Sequence, residues 1–454
     1  MIAVKRTVLA TALVLVLVSA CVQRKDPVGD HVAAPAPTAA PTTAPTPTTT
    51  PTPTTTEPPC PSSGAGGVTA VPTDAQAAIA ARVDDPRFAN NEVSISVWVD
   101  GWGEVAARDH DRRLLPASNQ KLLTAMGALD VLGADHRFVT TVVATSPSAN
   151  GVIEGDLVLV GGGDPTVRRS GAHSLAELAR QVRAAGVTEV RGSLLVDESR
   201  FDARRDAEGW LDWQRPAYAG ALSAVVVDGN QYRSDPGFLA DPATAGGELF
   251  RRALGTQGVS VAGGVVHGPD AGTGPELARV ESAPVAQLVD VMLMRSDNMI
   301  AESLVKEIGA ARGGVGSTAG GLAAIRAALT ERCIVVEGVD ADGSGLSRAN
   351  RRSAREWSAM LAAAQQAPWA AELVGSLPLA GRSGTLSARL TGAATVGNVR
   401  AKTGSIIPGR ALSGYLTTAG GRPAVFSIVV NGRSPGPAQS AIDALVTTVA
   451  AVRG

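Results

Sequence analysis

The chain of 454 residues is 44% hydrophobic, which is enough apolar material for a substantial core and for two or three domains. Its formal net charge of -1 gives no electrostatic reason to expect nucleic acid or an anionic membrane surface as a partner. Three cysteines and five histidines are present without the spacing of a zinc site, so we expect neither a metal nor another cofactor.

The N-terminal part of the chain predicts export. Two basic residues precede the short apolar run VLATALVLVLVSA within residues 1–21, as in a signal peptide. Residues 18–21 (VSAC) resemble a lipobox, in which Cys21 would carry a lipid; the alternative is an ordinary cleavage site that happens to precede a cysteine. Residues 22–67 are rich in Pro, Thr and Ala, which predicts a disordered tether.

The folded part begins near residue 68 with a helix, AQAAIAARV, and a strand, EVSISVWVD. Residues 146–279 alternate strands and turns around one helical stretch, AHSLAELARQVRAAG. Helical patterns then return, followed by the candidate strands TVGNVRAKTG, ALSGYLTTA and AVFSIVVN and a last helix. This order predicts an α+β protein. A domain of helices and an antiparallel sheet, residues 68–145 plus 280–454, is split by a mostly β insert of one or two lobes at 146–279.

Lysine is scarce: of the 41 basic residues only five are lysines, namely Lys5, Lys25, Lys121, Lys306 and Lys402. Arginine therefore serves most surface-charge roles, and a retained lysine suggests a group that must lose its proton when buried. We assign Lys5 to the targeting segment, Lys25 to the linker and Lys306 to a helix face. Lys121 and Lys402 both fall in motifs.

Ser118 and Lys121 stand three residues apart at the start of the predicted helix LLTAMGALDVLG, where such side chains share one face. A helix start has unpaired backbone N–H groups and favours developing negative charge. A second Ser-x-x-Lys pair, Ser303 and Lys306, lies in the middle of a predicted helix, where a buried serine faces no cleft. We therefore predict that Ser118 is the reactive serine.

Two further motifs follow in the chain. Ser296-Asp297-Asn298 stands just before a helix, and Lys402-Thr403-Gly404 ends a predicted strand. Each motif alone would often be a coincidence. The three together, in this order and in these contexts, predict one site.

With these motifs the chain resembles the class C low-molecular-mass penicillin-binding proteins, the D-alanyl-D-alanine carboxypeptidase/endopeptidase family. The likeness runs from about residue 92 to 432 and includes LLPASNQKLLTA, GDLVLVGGGDP, VDESRF, DGSGLSR, SLPLAGRSGTLSARL and AKTGS. It implies the transpeptidase fold of penicillin-binding proteins and β-lactamases, with the large insert of this class. It also implies a serine-type D-Ala-D-Ala carboxypeptidase.

The expected partners of such an enzyme are peptidoglycan stem peptides, with β-lactams as inhibitors. It would work on the outer face of the cytoplasmic membrane or in the cell wall, and would touch the membrane only through a lipid on Cys21.

The resemblance also implies roles for the motif residues. Ser118 would attack the carbonyl of the D-Ala-D-Ala bond, with neutral Lys121 as proton acceptor. Burial and the nearby charge of Lys402 would lower the pKa of Lys121. Ser296 would relay the proton to the departing nitrogen, and Asn298 would hold the peptide amide.

The third motif would bind the end of the substrate. Lys402 and Thr403 would hold the terminal carboxylate, and Gly404 would leave room for substrate at the strand edge. The backbone N–H groups of Ser118 and Ser405 would form the oxyanion hole.

Two more positions follow from the resemblance alone. Asp197 of VDESRF and Arg348 of DGSGLSR would recognise the side chain of the stem peptide. The alternatives are a turn aspartate at a strand end and a surface arginine. Asp164 in GGGDPT is assigned to a turn.

Three other functions were weighed. A serine β-lactamase would share the three motifs, but no deacylating Glu of an ExxLN segment is found. A Ser-His-Asp hydrolase would need a Gly-x-Ser-x-Gly elbow, which the sequence lacks. A non-catalytic wall-binding module would predict decay of the motifs, whereas every motif residue is present.

Overall fold

The computed structural model describes residues 69–231, 240–269, 274–432 and 435–453. The predicted signal peptide, lipobox and tether lie outside these residues. Within them, none of the helices combines the length and the apolar character needed to cross a lipid bilayer. Cys333 is disulfide-bonded, and the other two cysteines of the chain, Cys21 and Cys60, are both outside the described part.

The helices, in chain order, are α1 (Thr73–Val83), α2 (Gln120–Val131), α3 (Leu175–Ala184), α4 (Pro242–Thr256), α5 (Val285–Arg295), α6 (Asn298–Ala311), α7 (Thr318–Glu331), α8 (Ala354–Ala364), α9 (Ala370–Gly375) and α10 (Gly436–Ala450). The strands are β1 (Asn91–Val99), β2 (Gly103–Arg108), β3 (Val139–Ala144), β4 (Val152–Ile153), β5 (Leu157–Val160), β6 (Glu189–Val190), β7 (Leu194–Asp197), β8 (Ser260–Val261), β9 (Val265–His267), β10 (Glu276–Glu281), β11 (Arg400–Ile406), β12 (Gly409–Thr417) and β13 (Pro423–Gly432).

The first sheet joins the two ends of the folded chain. Its order is β11-β12-β13-β1-β2, and all of its pairings are antiparallel. β1 and β13 pair over their whole length, with Val93 opposite Val430. Both strands are buried on both faces because helices cover the sheet on each side. α1 and α10 share one hydrophobic core with the sheet, while α2 and α5 to α8 share another.

Helix α2 is the centre of the second of these cores. Ten of its twelve residues are buried, as expected for a helix that is apolar nearly all round. It lies very close to α7: a Cβ added to Gly127 would stand 2.4 Å from Ile325 Cγ1. The helix that follows Ser118 is therefore held rigidly from several sides.

A second sheet has the order β10-β3-β5-β7-β9. β10, β3 and β5 pair antiparallel, whereas β5, β7 and β9 pair parallel because α3 and α4 provide the crossovers. A small parallel sheet, β4-β6-β8, lies in the same part of the chain. By strand pairing this region runs from residue 139 to 281, slightly beyond the predicted limits of 146 and 279.

The inserted region contains one helix, α4, that the sequence did not predict, so it is more helical than the expected mostly β segment. Its sequence, PATAGGELFRRALGT, contains three glycines, which weaken any helical signal. Packing explains two of them. A Cβ on Gly247 would stand 2.5 Å from Val196 Cγ2, and one on Gly246 would stand 2.8 Å from Val225 Cγ1.

Candidate active site

Ser118 lies in a 3-10 turn, Ala117–Asn119, that runs directly into α2. Lys121 follows on the first turn of the helix and is fully buried. Its Nζ donates to Ser118 Oγ over 3.2 Å. The corner before the serine is tight: Ala117 has a φ of 48°, which is uncommon for a residue other than glycine.

The ammonium group of Lys121 has two more partners, both neutral. It donates to Asn298 Oδ1 and to the carbonyl oxygen of Ser344, each over 2.6 Å. Burial lowers the pKa of Lys121 to about 8, although the negative charges of Asp342, Glu302 and Asp297 act in the opposite direction. A lysine in this state can give up its proton near neutral pH.

The other pair of the site consists of Ser296 and Lys402. Ser296 ends α5 in the left-handed conformation, with a φ of 59°. Lys402 on β11 is fully buried and donates to Ser296 Oγ over 3.0 Å and to the Thr403 carbonyl over 2.8 Å. Its pKa is lowered well below the usual value, first by burial and then by the charge of Lys121.

The prediction was that burial and the charge of Lys402 both lower the pKa of Lys121, and only the first of these effects is found. In the structure it is burial that lowers the pKa of Lys121, and the charge of Lys121 acts on Lys402. Nearby carboxylates stabilise the charged form of Lys121, whereas Lys402 has no such effect acting on it. Of the two amines, Lys402 therefore loses its proton first.

Asn298 begins α6 and bridges two parts of the site. Its Oδ1 accepts from Lys121, and its Nδ2 donates to the carbonyl oxygen of Tyr218 over 2.8 Å. The side-chain amide predicted to hold substrate is thus engaged with the protein at both ends.

Strand β11 is an edge strand of the first sheet and lies against the turn of Ser118. A Cβ on Gly404 would stand 2.8 Å from the carbonyl oxygen of Pro116 and 3.0 Å from Ala411 Cβ, so only glycine allows this approach. Thr403 Oγ1 donates to Thr385 Oγ1 over 2.8 Å. The beginning of the outer edge of β11 is occupied, because Ala401 N–H donates to the Pro378 carbonyl oxygen over 3.0 Å. An extended peptide could therefore add only along the later part of the strand, at Thr403 and Ser405.

A cavity of about 410 Å³ opens onto Ser118. Its walls are formed by Ser118, Trp213, Gln214, Tyr218, Ser296, Asn298, Leu346, Thr385, Arg389, Thr403, Ser405, Ile406, Ile407 and Gln439. Lys121 and Lys402 are buried behind this wall.

Two predicted residues do not line this cavity. Asp197 ends β7, is nearly buried, and accepts the N–H of Ser199, which is the turn role given above as the alternative. Arg348 is half-buried rather than on the open surface. Burial lowers its pKa, and its Nε is buried without a hydrogen bond in the described part of the chain.

The second Ser-x-x-Lys pair lies elsewhere. Lys306 lies on helix α6, as predicted, but its side chain is buried and forms an ion pair with Asp202, on a segment distant in sequence.

Sequence reasoning missed the loop at residues 342–347 (DGSGLS) as part of the site. Ser344 supplies a carbonyl oxygen to Lys121, and Gly345 packs on the turn of the reactive serine. Gly345 has a φ of 87°, and a Cβ there would stand 1.9 Å from the carbonyl oxygen of Ala117. The segment had been noted only for Arg348. Its closely spaced glycines were the available signal.

Comparisons with known proteins agree with this geometry. The model of the D-Ala-D-Ala carboxypeptidase 3 (S13) family matches residues 75–235 and 238–452. A D-alanyl-D-alanine carboxypeptidase from Actinomadura sp. (strain R39) is 34% identical over 466 residues, covering 84% of this chain and 85% of that protein.

Solved structures show the same fold. Penicillin-binding protein 4 of Haemophilus influenzae gives a TM-score of 0.74 at 22% identity, covering 83% of this chain and 99% of that chain. The same protein complexed with a β-lactam gives 0.67 at 21% identity with the same coverage. The transpeptidase fold implied by the three motifs is confirmed. Together with the family match, these similarities establish that the chain belongs to the D-Ala-D-Ala carboxypeptidase 3 (S13) family.

Proposed function

We propose that this protein is a serine-type D-Ala-D-Ala carboxypeptidase that cleaves peptidoglycan stem peptides through an acyl-enzyme on Ser118. The observation that carries the proposal is the contact between Ser118 Oγ and the buried Lys121 Nζ, whose hydrogen-bond acceptors are all neutral. A serine hydroxyl is a weak nucleophile until a neighbouring base takes its proton, and a buried amine of lowered pKa is such a base.

In the acylation step Ser118 Oγ attacks the carbonyl carbon of the D-Ala-D-Ala bond while Lys121 Nζ accepts its proton. The negative charge that develops on the carbonyl oxygen is held by the backbone N–H groups of Ser118 and Ser405. Ser405 lines the cavity beside the serine, which supports this role. In the best-studied case one such donor contributes about 3–4 kcal/mol to the transition state.

Departure of the terminal D-Ala requires a proton on its nitrogen. We propose that Ser296 Oγ relays it: Ser296 gives its proton to the nitrogen and takes up the proton that Lys121 accepted from Ser118, so that Lys121 is neutral again. Ser296 faces the same cavity and is hydrogen-bonded to Lys402. The terminal carboxylate binds at Thr403 with Lys402 behind it, and Gly404 keeps the strand edge open. Water then attacks the ester on Ser118, with Lys121 again as base, and releases the shortened peptide.

Recognition of the stem peptide is proposed for Asn298 and Arg348. The half-buried guanidinium of Arg348 has an Nε without a hydrogen bond among the described residues, and this supports a role in binding an anionic group. For Asp197 the proposal rests on the resemblance alone.

We also propose that the protein is exported, that it meets its substrate in the cell wall, and that β-lactams acylate Ser118. The signal-like residues 1–21 support the first point, and the membrane would be reached only through a lipid on Cys21. The solved complex of the Haemophilus protein with a β-lactam supports the third. The comparisons do not favour a β-lactamase or a non-catalytic wall-binding module.

The test is intact-mass measurement after exposure to a labelled penicillin, followed by incubation with purified cross-linked muropeptides. We expect one adduct on Ser118 and release of D-Ala. Resolved muropeptide dimers would show endopeptidase activity in addition. A protein that gives no adduct, or one that still gives it after Ser118→Ala, would contradict the proposal.

A further inference from the structure

One fully buried carboxyl group near the site has no role in the mechanism above. Glu302 lies on α6, one turn after Asn298, and is completely shielded from solvent. Its Oε1 accepts the N–H of Ser344 over 2.8 Å and that of Gly343 over 3.1 Å. In the described residues no lysine, arginine or histidine forms an ion pair with it, which is unusual for a buried acid.

The residues that Glu302 holds belong to the loop 342–347. Ser344 is bound on both sides: its N–H donates to Glu302, while its carbonyl oxygen accepts from Lys121. Gly343 is bound in the same way, because its N–H donates to Glu302 and its carbonyl oxygen accepts from Thr124 Oγ1 over 2.7 Å. Glu302 and α2 thus clamp the same two peptide units from opposite sides.

Asp342 fixes the rest of the loop. Its Oδ1 accepts from Gly345 over 2.9 Å, and its Oδ2 accepts from Ser347 N–H over 2.7 Å and from Trp210 Nε1 over 2.9 Å. The Asp342 contacts set the shape of the loop. The Glu302 contacts set where the Ser344 carbonyl stands relative to Lys121.

We propose that Glu302 is a positioning residue for acylation: it holds the Ser344 peptide unit so that the Ser344 carbonyl keeps Lys121 Nζ against Ser118 Oγ. The inference rests on the function proposed above. A misplacement of about 1 Å at a reacting group can cost roughly 100-fold in rate, so a residue that fixes the proton acceptor matters without touching the substrate.

The charge of Glu302 adds a second, measurable effect. Burial, and next the charge of Asp342, raise the pKa of Glu302 to about 8, and a negative charge on Glu302 raises the pKa of Lys121. The other charged groups that face this pair are Asp297 in the turn before α6 and Lys402 on β11. Glu302 therefore becomes charged in the same pH range in which Lys121 loses its proton, and its charge opposes that loss mainly at pH 8 and above. Removal of the carboxyl group should let Lys121 complete its titration at lower pH.

The test compares three variants of the full chain by their rate of acylation with a labelled penicillin, expressed per folded molecule. In Glu302→Ala the loop loses its anchor, and we expect a fall of roughly 100-fold. In Glu302→Gln the amide oxygen still accepts from Ser344, so the rate should recover to within roughly tenfold of the wild type. Its pH–rate profile should reach the plateau at lower pH than that of the wild type, with little change below pH 7.

Glu307 on the same helix is the matched control. It is equally buried but pairs with Arg200 and His136, away from the loop 342–347. Glu307→Ala should destabilise the fold while leaving the acylation rate per folded molecule and the pH–rate profile unchanged.

The proposal is overturned if Glu302→Ala acylates at the wild-type rate, or if Glu302→Gln gives the wild-type pH–rate profile. The second criterion applies even where Glu302→Ala fails to fold. Failure of the wild type to acylate would instead refute the proposed function, so the two failures are distinguishable.

Discussion

The chain contains two Ser-x-x-Lys pairs, Ser118/Lys121 and Ser303/Lys306, whose lysines have different partners. Lys121 and Lys306 are both buried, with 0% and 1% of their surface exposed. Lys121 donates only to neutral oxygen atoms. Lys306 forms an ion pair with Asp202, donates to the Arg204 carbonyl over 3.1 Å, and stands 5.8 Å from the centre of the Phe201 ring.

The serines differ as well. Ser118 faces a cavity and precedes a helix, whereas Ser303 is only 3% exposed in the middle of α6. An amine in an ion pair serves as a structural cation, and a buried amine with neutral partners is ready to act as a base. The comparison indicates that a reactive pair requires two features: a buried amine that forms no ion pair, and a serine that substrate can reach.

Replacement of the two serines should give the largest difference. Ser118→Ala removes the nucleophile, so we expect no penicillin adduct and D-Ala release lower by roughly 10⁴-fold or more. Ser303→Ala removes a hydroxyl that is buried within α6, and both measurements should stay at the wild-type level. Intact-mass analysis and a D-Ala assay on the two variants decide this. An adduct retained in Ser118→Ala would contradict the assignment.

Replacement of the two lysines by methionine separates catalysis from stability. Lys121→Met removes the proton acceptor and should slow acylation by roughly 10²–10⁴-fold. Lys306→Met leaves Asp202 without its partner and should lower the free energy of unfolding by about 2–3 kcal/mol, since Asp202 is 27% exposed and partly solvated.

The two measurements are the rate of penicillin acylation per folded molecule and urea unfolding. Lys306→Met should acylate at the wild-type rate. If it slows acylation as much as Lys121→Met does, the distinction between the two lysines fails.

The pH dependence of acylation should follow Lys121 and not Lys306. Lys121 acts as a base only when neutral, and burial lowers its pKa to about 8, so the neutral fraction grows as pH rises toward that value. The acylation rate should increase about tenfold from pH 6 to 7 and level off above pH 8. Lys306→Met should give the same curve. A rate that is constant from pH 6 to 9 would argue against Lys121 as the base.

The prediction that Ser118 and Lys121 form the reactive pair rests on local signals. Helix position and three short motifs predicted that Ser118, Ser296 and Lys402 lie close together. In the structure Ser118 and Ser296 line one cavity, and Lys402 is buried behind it. The ion pair of Lys306 could not be predicted, because Asp202 lies 104 positions away in the chain. The same is true of the Ser344 carbonyl and of Glu302. Every residue has a carbonyl oxygen, so the sequence does not indicate that the one of Ser344 accepts from Lys121. Nor does it indicate that Glu302 contacts Ser344, because that contact depends on tertiary packing.

A last variant tests whether the ion pair of Lys306, and not the burial of Ser303, explains why the second pair is expected to be unreactive. In a Ser118→Ala background, Asp202→Asn would leave Lys306 without its carboxylate partner while Ser303 stays buried. We expect no adduct on Ser303, because substrate still cannot reach it, and a loss of about 2–3 kcal/mol in the free energy of unfolding, because the buried Lys306 is left without a counter-charge. Mass analysis after penicillin exposure checks this. An adduct on Ser303 would mean that the ion pair, and not the burial of the serine, keeps the second pair inactive.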